Sequence, residues 1–228
     1  MDMDKDITHI TLGIRHRRTF GLAQKAGDIV DHVLYDPDSP FNTNFFPNYF
    51  ETASGGRMVG NEETGESFAV DSDSVVLRLV VKNFDKGYLD FKNIHLPYIN
   101  KVFTVFGIEN INRIGIVFEH NLRSAPTIDK VISAFTSGEV QEPNTFSFKF
   151  AKKYPTIESH AKKDIVDYYN AICSFETQNG FLVAKLDYQA YFDPEYKSIN
   201  DIDFNSFLIR AEKYLHTKFQ GFLAHEKS

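Results

Sequence analysis

INRIGIVFEH, residues 111–120, carries the reading on which the fold turns. Ile114, Ile116 and Phe118 fall on one side of an extended chain, while Arg113, Gly115, Val117 and Glu119 fall on the other. That period of two marks a strand with one face on a core. Neighbouring strand residues point to opposite faces, so Glu119 and His120 read as the polar end of a core strand, not as a side-by-side acid and base.

Working outward, the segment before it reads as a helix over roughly residues 87–106, because Tyr88, Phe91, His95, Tyr98, Val102 and Phe106 recur near every 3.6 residues. Gly107 stops it, and Pro97 is expected to kink or split it. VVLRLVVKN, residues 75–83, alternates Leu77, Leu79 and Val81 against Val76, Arg78 and Val80. ITHITLGIRH at residues 7–16 alternates in the same way, with Ile10, Leu12 and Ile14 opposite His9, Thr11 and Arg15. GLAQKAGDIVDHVLY is helical until Asp36-Pro37-Asp38-Ser39-Pro40, and NFFPNYFET, RMVGN and ESFAV follow as strands with turns at Gly55-Gly56 and Thr64-Gly65.

Beyond residue 120, PTIDKVISAF reads as a short helix started by Pro126, followed by strands near NTFSFKFAKKY, DYYNAICSFET and FLVAKLDYQAYF. Asn179-Gly180 suits a tight hairpin turn. The last helix, near 201–223, carries Phe204, Phe207, Leu208, Ala211, Tyr214, Leu215, Phe219 and Phe222 as one apolar stripe, with Asp201 or Asp203 as its cap. The expected fold is therefore α+β: antiparallel sheets packed by long amphipathic helices. Strands ending on Phe84-Asp85 and Phe192-Asp193 both lead into amphipathic helices. This echo predicts two similar halves, 1–123 and 124–228, packed as one compact unit.

Composition narrows the function classes. A net charge of −6 opposes general nucleic-acid or anionic-membrane binding, because phosphate backbones are held by excess Lys and Arg. No stretch approaches the roughly 20 apolar residues of a membrane span, and the acidic MDMDKDITHI start does not resemble a signal peptide, so a cytoplasmic protein is expected. The single cysteine, Cys173, excludes intrachain disulfides and cysteine-cage metal sites and reads as an inert packed thiol. No phosphate-binding glycine loop and no nucleophile elbow appear.

Asp28, Asp31 and His32 at i, i+3 and i+4 have metal-ligand spacing but lack further ligands; the alternative is the solvated side of a helix. Arg15-His16-Arg17-Arg18 has the density of a phosphate site or of a wet corner. Glu158, His160 and Asp164 have residue types suited to chemistry but lie in a Lys-rich connection. The set with most promise is Arg15, Arg78, Arg113 and Asp187, each opposite the apolar row of its own strand. If those strands are neighbours, the four share a face as a charged binding groove; otherwise they are scattered on the wet side of a sheet.

ITHITLGIRH, VVLRLVVKN, NRIGIVFEH and AKLDYQAYF with its following helix together resemble a sporadically distributed bacterial and archaeal family of about this length, uncharacterised and known by a sequence-model label. Its recurring strand runs Arg-Ile-Gly-Leu-Arg-Tyr-Ile-Asn. Arg113, Ile114, Gly115, Ile116 and Phe118 fit it; Val117 stands in place of the second arginine and His120 in place of the asparagine. The family often has Glu where His9 stands, and Arg15 fits its pattern. The resemblance implies the fold and carries no activity.

The expected function is a binding or interaction protein without a catalytic set or cofactor, engaging a protein partner or a second copy of itself. A small-ligand binder with an aromatic cavity between sheet and helices is the alternative. A metal-dependent hydrolase using Asp28, His32, Glu119 or Asp187 is the third reading.

Overall fold

A computed structural model of the chain describes residues 3–136, 145–155, 168–178, 180–192 and 197–224. Nine strands form a single antiparallel sheet: β1 Ile7–His16, β2 Asn48–Glu51, β3 Arg57–Asn61, β4 Glu66–Val70, β5 Ser74–Val80, β6 Ile111–Leu122, β7 Ser147–Pro155, β8 Tyr168–Gln178 and β9 Phe181–Tyr191. Their order is β2-β3-β4-β5-β1-β6-β9-β8-β7. β1 and β6 sit side by side at the centre, with Gly13 opposite Gly115 and Arg15 opposite Arg113. The ladder from β6 to β9 crosses residue 123, so both sequence halves contribute to one continuous sheet.

The helices are α1 Phe20–Tyr35, α2 Phe84–Asp90, α3 Leu96–Phe106, α4 Ala125–Thr136, α5 Phe204–Tyr214 and α6 Gln220–Ala224. Among the described residues they pack on one sheet face and leave the other free of helices. Ile10, Leu12 and Ile14 of β1, Ile114, Ile116 and Phe118 of β6, and Ala184 and Leu186 of β9 are buried beneath them. Rings fill the layer: Phe84 and Tyr88 lie 6.0 and 5.8 Å from Phe118, and Phe219 lies 5.8 Å from Phe175. Each buried aromatic ring contributes about 2–3 kcal/mol by leaving water. Among the described residues no helix is long and apolar enough to cross a membrane.

Pro97 stands in the first turn of α3, just after a π turn, Phe91–His95, that divides the expected helix into α2 and α3. A proline has no N–H to donate and its ring crowds the preceding turn, and a wider turn there accommodates both. The helix starts at Phe84, earlier than periodicity suggests, because the Asn83 side chain caps the Lys86 N–H. Asp203 is the cap of α5, accepting from the Ser206 N–H, and residues 199–201 form a 3-10 turn instead of a first helical turn.

The strand expected over NFFPNYFET shortens to Asn48–Glu51. Phe41 and Phe46 are buried and stacked at 5.2 Å, and Asn42 Oδ1 accepts from the Asn44 and Phe45 N–H groups. The chain there turns inward to fill the core and does not extend. Gly180 adopts a left-handed φ of 81° after β8; Asn179, the other half of the expected turn, and the Glu158, His160 and Asp164 stretch lie outside the described residues.

Candidate functional site: the helix-free face of the sheet

The register fixes what stands on the second face. Arg78 is opposite Thr11, Arg15 opposite Arg113, and Asp187 opposite Val117, which shares the parity of Arg113. Arg15, Arg78, Arg113 and Asp187 therefore project from four adjacent strands, β5-β1-β6-β9, on the same side. At the middle of this side Gly13 and Gly115 face each other, leaving a floor that is partly exposed at Gly13 and buried at Gly115, beside the Gln189 and Asp187 side chains. A Cβ built on Gly13 would meet nothing within 4 Å, and one on Gly115 would touch Gln189 Cγ at 3.4 Å and Asp187 Oδ1 at 3.5 Å. Strand glycines of this kind mark places where another group can approach the backbone closely.

Two polar networks border the floor. On one side Glu119, 9% exposed, receives Lys185 Nζ at 2.9 Å and Arg78 Nη2 at 3.4 Å, with His9 Nδ1 also at 3.4 Å. Burial, with Arg78 and Lys185 close by, holds the His9 imidazole below its ordinary pKa despite the Glu119 carboxylate. His9 is thus neutral near pH 7, and the charges that meet Glu119 are Arg78 and Lys185.

On the other side a chain of donors runs along β9. Arg113 Nη1 donates to Tyr191 Oη at 3.4 Å, Tyr191 Oη to Gln189 Oε1 at 2.8 Å, and Gln189 Nε2 to Asp187 Oδ2 at 2.6 Å. Burial raises the Asp187 carboxyl above its ordinary range, opposed by the Gln189 hydrogen bond and the Arg113 charge. Tyr191 also stacks on Tyr168 at 4.5 Å, and Lys153 Nζ sits 3.5 Å from the centre of the Tyr168 ring.

The remaining candidates lie elsewhere. His32 packs edge-on against Phe106 at 5.4 Å and faces Asp36 Oδ2 at 3.3 Å, while Asp28 is exposed on the same helix. Asp36 is in turn held by Lys101 at 3.1 Å. The sheet separates these residues from Glu119 and Asp187, so the hydrolase set is not brought together. Among the described residues no group of three His, Cys, Asp or Glu side chains could hold a metal ion.

Cys173 is fully buried, and burial pushes its thiol up to about 12. His120 lies beneath the sheet on the helix side, away from Glu119. The basic run splits: Arg15 joins the helix-free face, His16 turns into the core with Nδ1 donating to the Arg17 carbonyl, and Arg18 Nε donates to Ser72 Oγ. His16 borders a small cleft of about 160 Å³ beside the start of α1.

The sequence reading missed His9, Lys185, Gln189, Tyr191 and the glycine pair. Each alternates like any strand residue. The one available signal was that Gly13 and Gly115 both lie two residues from an arginine of the same parity. No family model and no curated protein matches the chain.

Proposed function

We propose that the chain is a non-catalytic binding protein that receives an acidic segment of a protein partner on the helix-free face of its sheet. The observation that carries this is local charge. Within the strands this face holds Arg15, Arg78, Arg113, Lys149, Lys153 and Lys185 against Glu119, Glu176 and Asp187, while the chain as a whole stands at −6. A basic face on an acidic protein steers and orients acidic partners and repels the same face of a second copy. The stacked tyrosines and the glycine floor supply apolar contact and close approach beside those charges.

Two finer readings accompany it. The sheet is two like units joined at the β1–β6 seam. In each, a central strand is followed by a helix, then by strands that walk back from an edge, then by a helix containing a π turn. Membership of the sporadically distributed family is part of the same proposal: its Arg-x-Gly strand signature falls on Arg113 and Gly115, at the floor of the face.

An NMR titration of the full chain with a hexaglutamate peptide tests the function. Saturable shifts confined to the helix-free side of β5, β1, β6, β9, β8 and β7 and weakened by added salt are expected, with Lys149→Glu/Lys153→Glu reducing affinity several-fold. Shifts on the helical side, or none at millimolar peptide, would refute it. Native mass spectrometry of the protein from its own cells should show a second polypeptide; a doubled mass of the 26.1 kDa chain would instead make a second copy the partner.

A further inference from the structure

The β1–β6 seam sets two like charges against each other. Arg15 and Arg113 are direct cross-strand partners, which places their Cβ atoms about 5 Å apart, and like charges so placed lower stability. Arg15 is exposed and has no hydrogen-bond or ion-pair partner among the described residues. Arg113 is steadied from one side: Nη1 donates to Tyr191 Oη, and Cζ lies 5.7 Å from the centre of that ring. Because Tyr191 and Gln189 then pass their own donors toward Asp187, the chain leads away from the seam. The other N–H groups of Arg113 face no described acceptor. Glu119 does not balance the pair, since its oxygens are taken by Lys185 and Arg78.

We propose that Arg15 and Arg113 form a two-guanidinium clamp for a single carboxylate of the bound acidic segment, laid over the open backbone at Gly13. This rests on the reading of the face given above and adds the anchoring group and its chemistry. A guanidinium presents its donors as a planar fork that matches a carboxylate edge, which an ammonium cannot reproduce. Two forks from adjacent strands can share the two oxygens of one carboxylate. The arriving negative charge also relieves the repulsion between them. The open backbone at Gly13 lets the segment lie flat, where a side chain at that position would hold it off.

The test compares hexaglutamate binding to the full chain and to Arg15→Lys, Arg113→Lys and Gly13→Val, with Lys218→Gln, exposed on the helical side, as the control for loss of one positive charge. Each arginine-to-lysine change keeps the net charge, so a clamp predicts about tenfold weaker binding for either, equivalent to about 1.4 kcal/mol. The control should lose no more than about twofold. Gly13→Val should bind more weakly while melting no lower than the native chain, since valine favours a strand and meets open space. Unchanged affinity in both lysine variants would overturn the clamp and leave the binding face standing; absence of binding to the native chain would remove both. The unliganded melting temperature gives an independent readout. Arg15→Gln should leave it unchanged or raise it, and a fall of several degrees would overturn the clamp by making Arg15 structural.

Discussion

His120 is fully buried with its ring 5.3 Å from Phe219, and among the described residues neither ring nitrogen has a well-formed hydrogen bond, the Ala184 backbone giving only partial support. Burial lowers its pKa from the ordinary 6.5 to about 3. An unfolded chain takes up a proton at this ring below 6.5, whereas the folded chain stays neutral until about 3. The unfolded state therefore binds more protons in that window. Stability is fully present above 6.5 and is lost as pH falls toward 3, by at most about 1.4 kcal/mol per pH unit. Burial lowers His9, His16 and His95 as well, adding slope of the same sign. His120→Phe removes a titrating group and two poorly paired polar atoms from an aromatic site. Urea unfolding at pH 7 and pH 4.5 should show a shallower pH slope for the variant, with no loss at pH 7. An unchanged slope would mean that the ring is accessible or partnered.

At the scale of elements, β7 closes the sheet and pairs only with β8 among the described residues. Its exposed Lys149, Lys152 and Lys153 occupy a strand whose outer backbone groups could otherwise template another chain. Lys149→Thr/Lys152→Thr/Lys153→Thr should thus promote self-association, read as a rise in scattering mass at concentrations where the native chain shows none. An unchanged mass would show that charge is not what guards this edge. β7 also illustrates what the sequence could show. The alternation of Phe148, Phe150 and Tyr154 against Lys149 and Lys153, like that of β1, β5, β6 and β9, is local and readable, because period two needs no knowledge of the neighbour. Strand order is not local. Arg15 and Arg113 are almost a hundred residues apart, and nothing in either strand specifies that they meet. β2 fails for a related reason: Phe46 reads as a strand residue until the buried ring of Phe41 is known to receive it. Glu119 as the acceptor for Arg78 and Lys185 depends on four strands, β5, β1, β6 and β9, in register at once.

The whole molecule is held by contacts that cross its central seam. The seam itself is thin on the helix-free side, where Gly13 and Gly115 supply no side chains, and dense on the other, where Leu12, Ile14, Ile114 and Ile116 are buried. Above it Phe84 and Tyr88 of α2 pack on Phe118 of β6, and the buried Tyr88 hydroxyl donates to the Leu208 carbonyl at 3.2 Å. Gln220 Nε2 donates to Asp4 Oδ1 at 2.6 Å, tying the last helix to the first residues described. If the sheet is two like units, the second copy has become part of the first one's core. Cutting the chain in the Gly107–Asn110 corner tests this. Fragments 1–107 and 108–228 expressed separately should each expose a long apolar strand, β1 or β6, and should aggregate or remain unfolded. Expressed together they should recover a 1:1 complex with the circular dichroism of the intact chain. A fragment that folds alone as a soluble monomer would show instead that the seam joins two independent domains.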